Sequence, residues 1–519
     1  MPTSTPSALP PTLPALGAPR PPTQGVRHRV GPKHLVLWLT LLAAVPGLAL
    51  AQTAAHERAT PLSTSFGFET VRLPGNERMG LLGGSLLLEA APGWWLGPAV
   101  YGAASGERGG LFVGGAEMQR RWRFGSRQLV AGLFAGGGGG ASAPVGGGLM
   151  LRPALTLLQD LGPLQAGLSW SQVRFPSGNI GSSQLGVVLA WDGVFRHADV
   201  GRAGAPVGDP GRSGVGVDRL LATVGSYRLR DGITPERRIG LIGGRLERRS
   251  DDGAWSWGLE SAGAASGGAV GYMEVLGSVG WETAPLPDLA PGLRVGGRMA
   301  LGLGGGGAVP TGGGPIAKAM LTLSARLSPT LSTGVELGTL RAGDTTLRAP
   351  HAQWWLAVEL EPTRGGGSTG RLQRSEWTTT LQHYLRAPRL VGSTRPLETI
   401  GIKFSRHAGE FVYLTGQAHS AFAGGAGAYS IGLVGAGLST ASVARDWQAG
   451  IEALVGASGG GGVDTRGGAL VQTVAWAGWQ ATPSSQWRLG VGALRSLRGP
   501  LSTPIVELAW SWSFAQAAP

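Results

Sequence analysis

The chain has 519 residues, among them 92 Gly, 35 Pro, 18 Trp and no Cys, with 14 % charged residues and a formal net charge of +13. Gly without a strict period of three excludes collagen, abundant apolar residues with sparse charge exclude a disordered chain, and the missing Cys excludes disulfide frameworks and thiolate metal sites. The positive surplus favours anionic partners, but no basic stripe interleaved with aromatics and no finger or helix-turn-helix pattern points to nucleic acid.

Arg27, Arg29 and Lys33 precede the apolar run 35–50, LVLWLTLLAAVPGLAL, and Ala49-Leu50-Ala51 stands before Gln52. A positive start, a short apolar stretch and a small-residue cleavage site make residues 1–51 a secretory signal peptide. The run contains Pro46 and falls short of the ~20 residues that a spanning helix needs. Removing 1–51 takes away Arg20, Arg27, Arg29 and Lys33 and no acid, which leaves 13 − 4 = +9.

After Gln52, runs of about 9 to 12 residues alternate apolar with small or polar side chains, the period-2 signature of two-faced strands. Leu293, Val295, Met299, Leu301 and Leu303 share one face of 293–303, with Arg294 and Arg298 on the other. In 505–514, IVELAWSWSF, Val506, Leu508, Trp510, Trp512 and Phe514 oppose Ile505, Glu507, Ala509, Ser511 and Ser513. In a soluble sandwich the charged face meets water; in a membrane barrel the two faces are lipid and lumen.

The pattern repeats. The stretch 136–150, GGGGGASAPVGGGLM, returns at 304–316, GGGGAVPTGGGPI, and at 459–471, GGGGVDTRGGALV. Arg78-Met-Gly-Leu-Leu-Gly-Gly84 returns as Arg238-Ile-Gly-Leu-Ile-Gly-Gly244, and Gly102-Ala-Ala-Ser-Gly106 as Gly263-Ala-Ala-Ser-Gly267. The predicted organisation is a first unit over 52–192, a linker over 193–219, a second unit over 220–361, a linker over 362–375 and a third unit over 376–519. Each unit reads as eight strands, beginning in the first near Ser65, Met79, Trp94, Leu111, Gln128, Gly148, Leu164 and Gln184. Short joints alternate with longer, looser ones, as in membrane barrels with tight periplasmic turns and long outer loops.

The leader ending Ala49-Leu50-Ala51, the two-faced strands and the terminal VELAWSWSF together resemble a Gram-negative outer-membrane β-barrel protein. The last strand is similar to the C-terminal signal of that class, alternate aromatics leading to a Phe, except that AQAAP follows Phe514. The resemblance implies the cell outer membrane, with outer-membrane lipid and lipopolysaccharide as partners. The fold expected first is one antiparallel transmembrane β-barrel of about 24 strands, because an eight-strand barrel fills its interior with side chains and the inner positions here are often Gly or Ser, which fill nothing. Three eight-strand barrels are the alternative, and a secreted soluble β-protein is a third.

Chemistry is thinly signalled. No HExxH, GxSxG or GxxxxGK pattern is present, and the residues of Gly302-Leu-Gly304 match part of a dinucleotide fingerprint only through their glycine content. No catalytic, cofactor or metal residue is therefore assigned. The inferred inner face carries Glu117, Arg121, Arg294, Arg298, Lys318, Arg326, Glu336, Glu359 and Glu452, which would line water in a wide barrel and pair across a narrow one. Arg174, Arg341 and Arg498 recur near the end of each seventh strand, either as solvated charges or as a rim that holds lipopolysaccharide phosphates through the guanidinium fork. The glycine tips, marked by Gly137, Gly140, Gly304, Gly307, Gly459 and Gly462, are either mobile surface loops or inward folds that narrow a pore. The function expected first is an outer-membrane pore, porin-like or the channel of an export system with a polymer or protein as cargo. The alternative is a non-conducting scaffold barrel whose loops bind a partner.

Overall fold

The computed structural model describes residues 58–207, 214–229, 236–286, 292–343, 345–360, 370–440 and 446–518. The signal peptide expected over 1–51 lies outside them. Among the described residues there is no α-helix, only strands and two single-turn 3-10 segments.

The first eight strands are β1 (Arg58–Arg72), β2 (Arg78–Ala91), β3 (Trp94–Ser105), β4 (Phe112–Phe124), β5 (Arg127–Gly139), β6 (Met150–Asp160), β7 (Gln165–Arg174) and β8 (Gly181–His197). A two-residue strand, β9 (Pro206–Val207), follows. The second set is β10 (Arg219–Leu229), β11 (Arg237–Arg249), β12 (Trp255–Ser266), β13 (Met273–Glu282), β14 (Leu293–Gly305), β15 (Pro315–Arg326), β16 (Leu331–Ala342) and β17 (Arg348–Glu359). The third is β18 (Gly370–Pro388), β19 (Thr394–His407), β20 (Val412–Ala423), β21 (Ser430–Ser439), β22 (Trp447–Gly459), β23 (Ala469–Thr482), β24 (Ser485–Ser496) and β25 (Ser502–Ala518).

These strands close three times, not once. β1 pairs with β8 from Arg58↔His197 to Glu69↔Gly186, β10 with β17 from Arg219↔Glu359 to Tyr227↔His351, and β18 with β25 from Arg371↔Ala518 to Tyr384↔Ile505. Each unit satisfies both of its own edges, so no long edge remains to join one unit to the next. The arrangement is three eight-strand antiparallel barrels, the alternative rather than the single ring of 24 expected first. The residues after Phe514 extend the last strand, and β9 pairs with the start of β18.

The objection to small barrels was that inner Gly and Ser fill nothing. In the structure several of the glycines are seats for rings from the neighbouring strand. A Cβ on Gly83 would lie 2.4 Å from the Tyr101 ring, on Gly334 2.4 Å from Trp355, and on Gly450 2.5 Å from Trp476. An eight-strand barrel has room inside only for side chains, and these are the side chains that fill it.

The outer faces fit a membrane. Leu155, Leu168, Leu185, Met299, Leu321 and Leu337 are exposed around the strand middles. Connections 92–93, 125–126 and 161–164 are tight at one end of the first barrel, while 73–77, 106–111, 140–149 and 175–180 are longer at the other. Trp94, Trp122, Trp255, Trp281, Trp447 and Trp479 stand half-exposed near the tight-turn end, where amphipathic rings sit at a membrane interface. Closed antiparallel barrels with an apolar belt and an aromatic girdle are the outer-membrane β-barrel architecture, with the glycine tips at the outer end.

Candidate functional site

Parity sends every second side chain of each strand into a barrel, and there the chain builds two layers. Toward the outer end the layer is apolar. In the first barrel Val71, Met79, Leu81, Tyr101, Leu111, Phe134 and Val145 form one buried cluster. The second barrel repeats it with Tyr227, Ile239, Tyr272, Val309 and Leu340, and the third with Tyr384, Leu397, Tyr429, Val463 and Leu494. Val145, Val309 and Val463 come from the three glycine tips. Each tip folds back so that its valine caps the mouth of its own barrel.

Below lies an ionic layer, fullest in the second barrel. Arg298 donates to Glu260 (2.7 Å) and Glu336 (2.6 Å), and Arg245 donates to Glu336 (2.9 Å). Lys318 reaches Glu260 (2.9 Å) and Glu274 (2.7 Å), while Arg219 and Arg245 share Glu247 at 2.5 and 2.7 Å. Four cations thus face four carboxylates. The Tyr227 and Tyr272 hydroxyls donate to Glu274 at 2.8 Å, joining the ionic layer to the apolar one. In the third barrel Lys403 bridges Glu452 (2.7 Å) and Glu507 (3.2 Å), and Arg488 holds Glu376 (2.6 Å) while lying 4.2 Å from the Trp476 ring centre. The first barrel has a lighter set. Arg152 forks onto Glu69 at 2.9 and 2.8 Å, Tyr101 donates to Glu117 (3.2 Å), and a cavity of about 50 Å³ remains between them.

Of the expected inner-face residues, Glu117, Arg121, Arg298, Lys318, Glu336, Glu359 and Glu452 are buried inside the barrels. Arg294 is half-buried near the tight-turn end and donates to the Thr283 carbonyl (3.2 Å), and Arg326 is exposed as the last residue of β15. Sequence reasoning left out Glu69, Arg152, Arg245, Glu260, Glu274, Lys403 and Arg488. Parity could have found them. Glu260, for example, alternates with Trp255, Trp257 and Leu259, all of which are exposed.

The glycine tips do a second thing: they join the barrels. The first barrel's tip lies on the third barrel, where a Cβ on Gly137 would sit 2.7 Å from the Ser420 and Ala421 carbonyl oxygens. The second barrel's tip lies on the first, where Gly109 N donates to Gly312 O (3.0 Å). The third barrel's tip lies on the second, where a Cβ on Gly459 would meet Gly271 N at 2.2 Å. The three contacts run in one rotational sense, each tip on the end of the next barrel's third strand or the connection that follows it. Only backbone without side chains can approach backbone this closely. Gly140, Gly304 and Gly307 pack instead against their own barrels, and Gly462 is exposed with open space around it. At the first tip Arg108 forks onto Glu77 (2.6 and 2.7 Å) and donates to the Ala141 carbonyl (2.9 Å), and this hydrogen bonding holds the Glu77 carboxyl below its usual range. At the opposite end Phe195 of the first barrel packs among Trp377, Trp512 and Phe514 of the third, at ring separations of 5.2 to 5.7 Å.

Arg174 ends β7, Arg341 lies near the end of β16, and Arg498 follows β24; all three are exposed at the outer end.

No protein-family model matches the chain, and no curated protein matches it. Among solved structures it is similar to a BenF-like porin from Pseudomonas fluorescens Pf-5, at 8 % identity over 89 % of this chain and 99 % of that one, with a TM-score of 0.22. It is also similar to OpdQ of Pseudomonas aeruginosa, at 9 % identity over 88 % and 98 % with a TM-score of 0.21. OpdK of the same organism stands at 10 % over 89 % and 99 %, with a TM-score of 0.21. Likeness at that level carries no argument, and no property of those porins is transferred to this chain.

Proposed function

We propose that this chain is a non-conducting outer-membrane protein, three plugged barrels joined as a scaffold in the membrane rather than an open pore. The observation that carries the reading is the double plug. A hydrated ion entering from outside meets a packed apolar layer capped by Val145, Val309 or Val463. Beneath it, a network of buried ion pairs must be broken, and removing one partner of a buried pair costs about 3–5 kcal/mol. The test is recording from the purified chain in planar bilayers. No conductance steps are expected, and a steady open conductance would overturn the reading.

A porin-like pore is the second reading, and the cavity beside Glu69 and Arg152 favours it, because it leaves unfilled volume inside the first barrel. On that reading, replacing 140–149 by a two-residue turn makes the first barrel conduct, while the same change in the second leaves it silent. The export-channel form requires a lumen wide enough for a polymer, which means a different closure of the strands.

A further inference from the structure

The lipid-facing side of each barrel carries a feature that neither the plugs nor the glycine contacts use. In the second barrel, Arg341 on β16, Arg348 on β17, Arg228 on β10 and Arg238 on β11 are all exposed at the outer end of four successive strands. Arg341 stands directly opposite Arg348 in the register, and Arg228 directly opposite Arg238. The first barrel repeats the second of these pairs, with Arg72 on β1 opposite Arg78 on β2, and adds Arg174 on β7. In the third, Arg495, Arg386 and Arg395 occupy β24, β18 and β19.

Like charges directly opposite each other on a sheet destabilise it, so such pairs imply a counter-charge. The protein supplies little. Arg228 meets Glu236 at 2.8 Å, but among the described residues no acidic side chain lies within ion-pair distance of Arg72, Arg78, Arg341 or Arg348. The same outward faces continue down the strands as lipid belt: Phe66 and Phe68 below Arg72, Val335 and Leu337 below Arg341, and Trp354 below Arg348. The arginines therefore stand at headgroup height. At the outer end they lie on the four strands around each closure seam, whereas the glycine contacts at that end occupy the third-to-fifth strands.

We propose that these arginine pairs bind the phosphates of an outer-leaflet glycolipid of the lipopolysaccharide type, one phosphate between each opposed pair. Paired guanidinium forks offer donors on both sides of a phosphate, and the apolar belt below accepts the acyl chains. The proposal is independent of whether the barrels conduct.

The test uses the full chain in detergent micelles, with bound lipid counted by native mass spectrometry and affinity measured by titration. The probe is diphosphoryl lipid A, compared with dephosphorylated lipid A and with inorganic pyrophosphate. Lipid A is expected to bind in preference to both. The quadruple variant Arg72→Gln, Arg78→Gln, Arg341→Gln and Arg348→Gln is expected to weaken it at least tenfold, more so at low salt. Changing Arg123→Gln and Arg127→Gln at the opposite end should leave binding unchanged, and heat-shifted gel mobility confirms that each variant folds. Equal binding of dephosphorylated lipid A, or undiminished binding by the folded quadruple variant, would overturn the proposal. Pyrophosphate binding as tightly as lipid A would overturn the assignment to a lipid.

Discussion

Adding one methyl group at each barrel junction tests whether the glycine tips hold the protein together. Gly109, Gly137 and Gly459 lie one at each of the three junctions, and none has a positive φ, so alanine is tolerated there by the local backbone. What alanine meets is the next barrel's main chain: Gly312 O at 2.3 Å, Ala421 O at 2.7 Å and Gly271 N at 2.2 Å respectively. Ordinary contact begins near 3.4 Å, so the barrels must separate by roughly 0.7 to 1.2 Å at each junction. Overpacking of this kind costs about 1–3 kcal/mol per site, and at the first junction the Gly109–Gly312 hydrogen bond, worth about 1 kcal/mol, is lost as well. The strand ladders inside each barrel are untouched. The aromatic contact of Phe195 with Phe514 at the far end remains, so the first and third barrels should hinge there rather than part. Because the chain has no Cys, spin labels can be placed at Glu107→Cys, Glu236→Cys and Val391→Cys, one per barrel at the outer end. Narrow interlabel distances are expected in the parent, and longer, broader ones in the triple alanine variant, with heat-shifted gel mobility unchanged. Unchanged distances in the triple variant would refute the reasoning, as would loss of the barrels themselves.

Other consequences are independent of this one. Glu336→Ala takes one paired carboxylate from each of Arg245 and Arg298, leaving them Glu247 and Glu260. It should lower the second barrel's stability by at most about 3–5 kcal/mol, read as an earlier urea midpoint in lipid vesicles; an unchanged midpoint would mean that Glu336 contributes nothing. Phe195→Ala should loosen the first barrel from the third by about 3–5 kcal/mol if the site does not refill, detected as increased hydrogen exchange in the end of β25 and not in β14. The Glu77 carboxyl is held below its usual 4.5 by hydrogen bonds from Arg108. Its contribution is therefore present above 4.5 and lost as pH falls through the lowered value. Amide protection of 73–77 should drop on acidification through that range, and Arg108→Gln should abolish the change.

Strands and their faces were legible because each carries its own signal: Val506, Leu508, Trp510 and Trp512 alternate with Glu507, Ala509, Ser511 and Ser513 whatever the strand pairs with. Closure was not legible. Whether β8 returns to β1 or passes on to the next unit depends on pairings between strands more than a hundred residues apart, and the turns look the same either way. The expectation of one wide ring rested on small inner residues, and it overlooked that a glycine can be the floor on which Tyr101 or Trp355 lies. The ionic layer was half legible. Glu336 and Arg298 declared themselves by parity, but their meeting at 2.6 Å depends on barrel diameter, which no single strand encodes. The tips read as loops because Gly runs are costly to order. Their order comes from backbone supplied by another barrel, which lies far off in the sequence.

The most direct measurement is a projection map of the purified chain in nanodiscs by electron cryomicroscopy. The account predicts three small rings in contact with one another, each with density at its centre. One wide ring with an empty middle would contradict it.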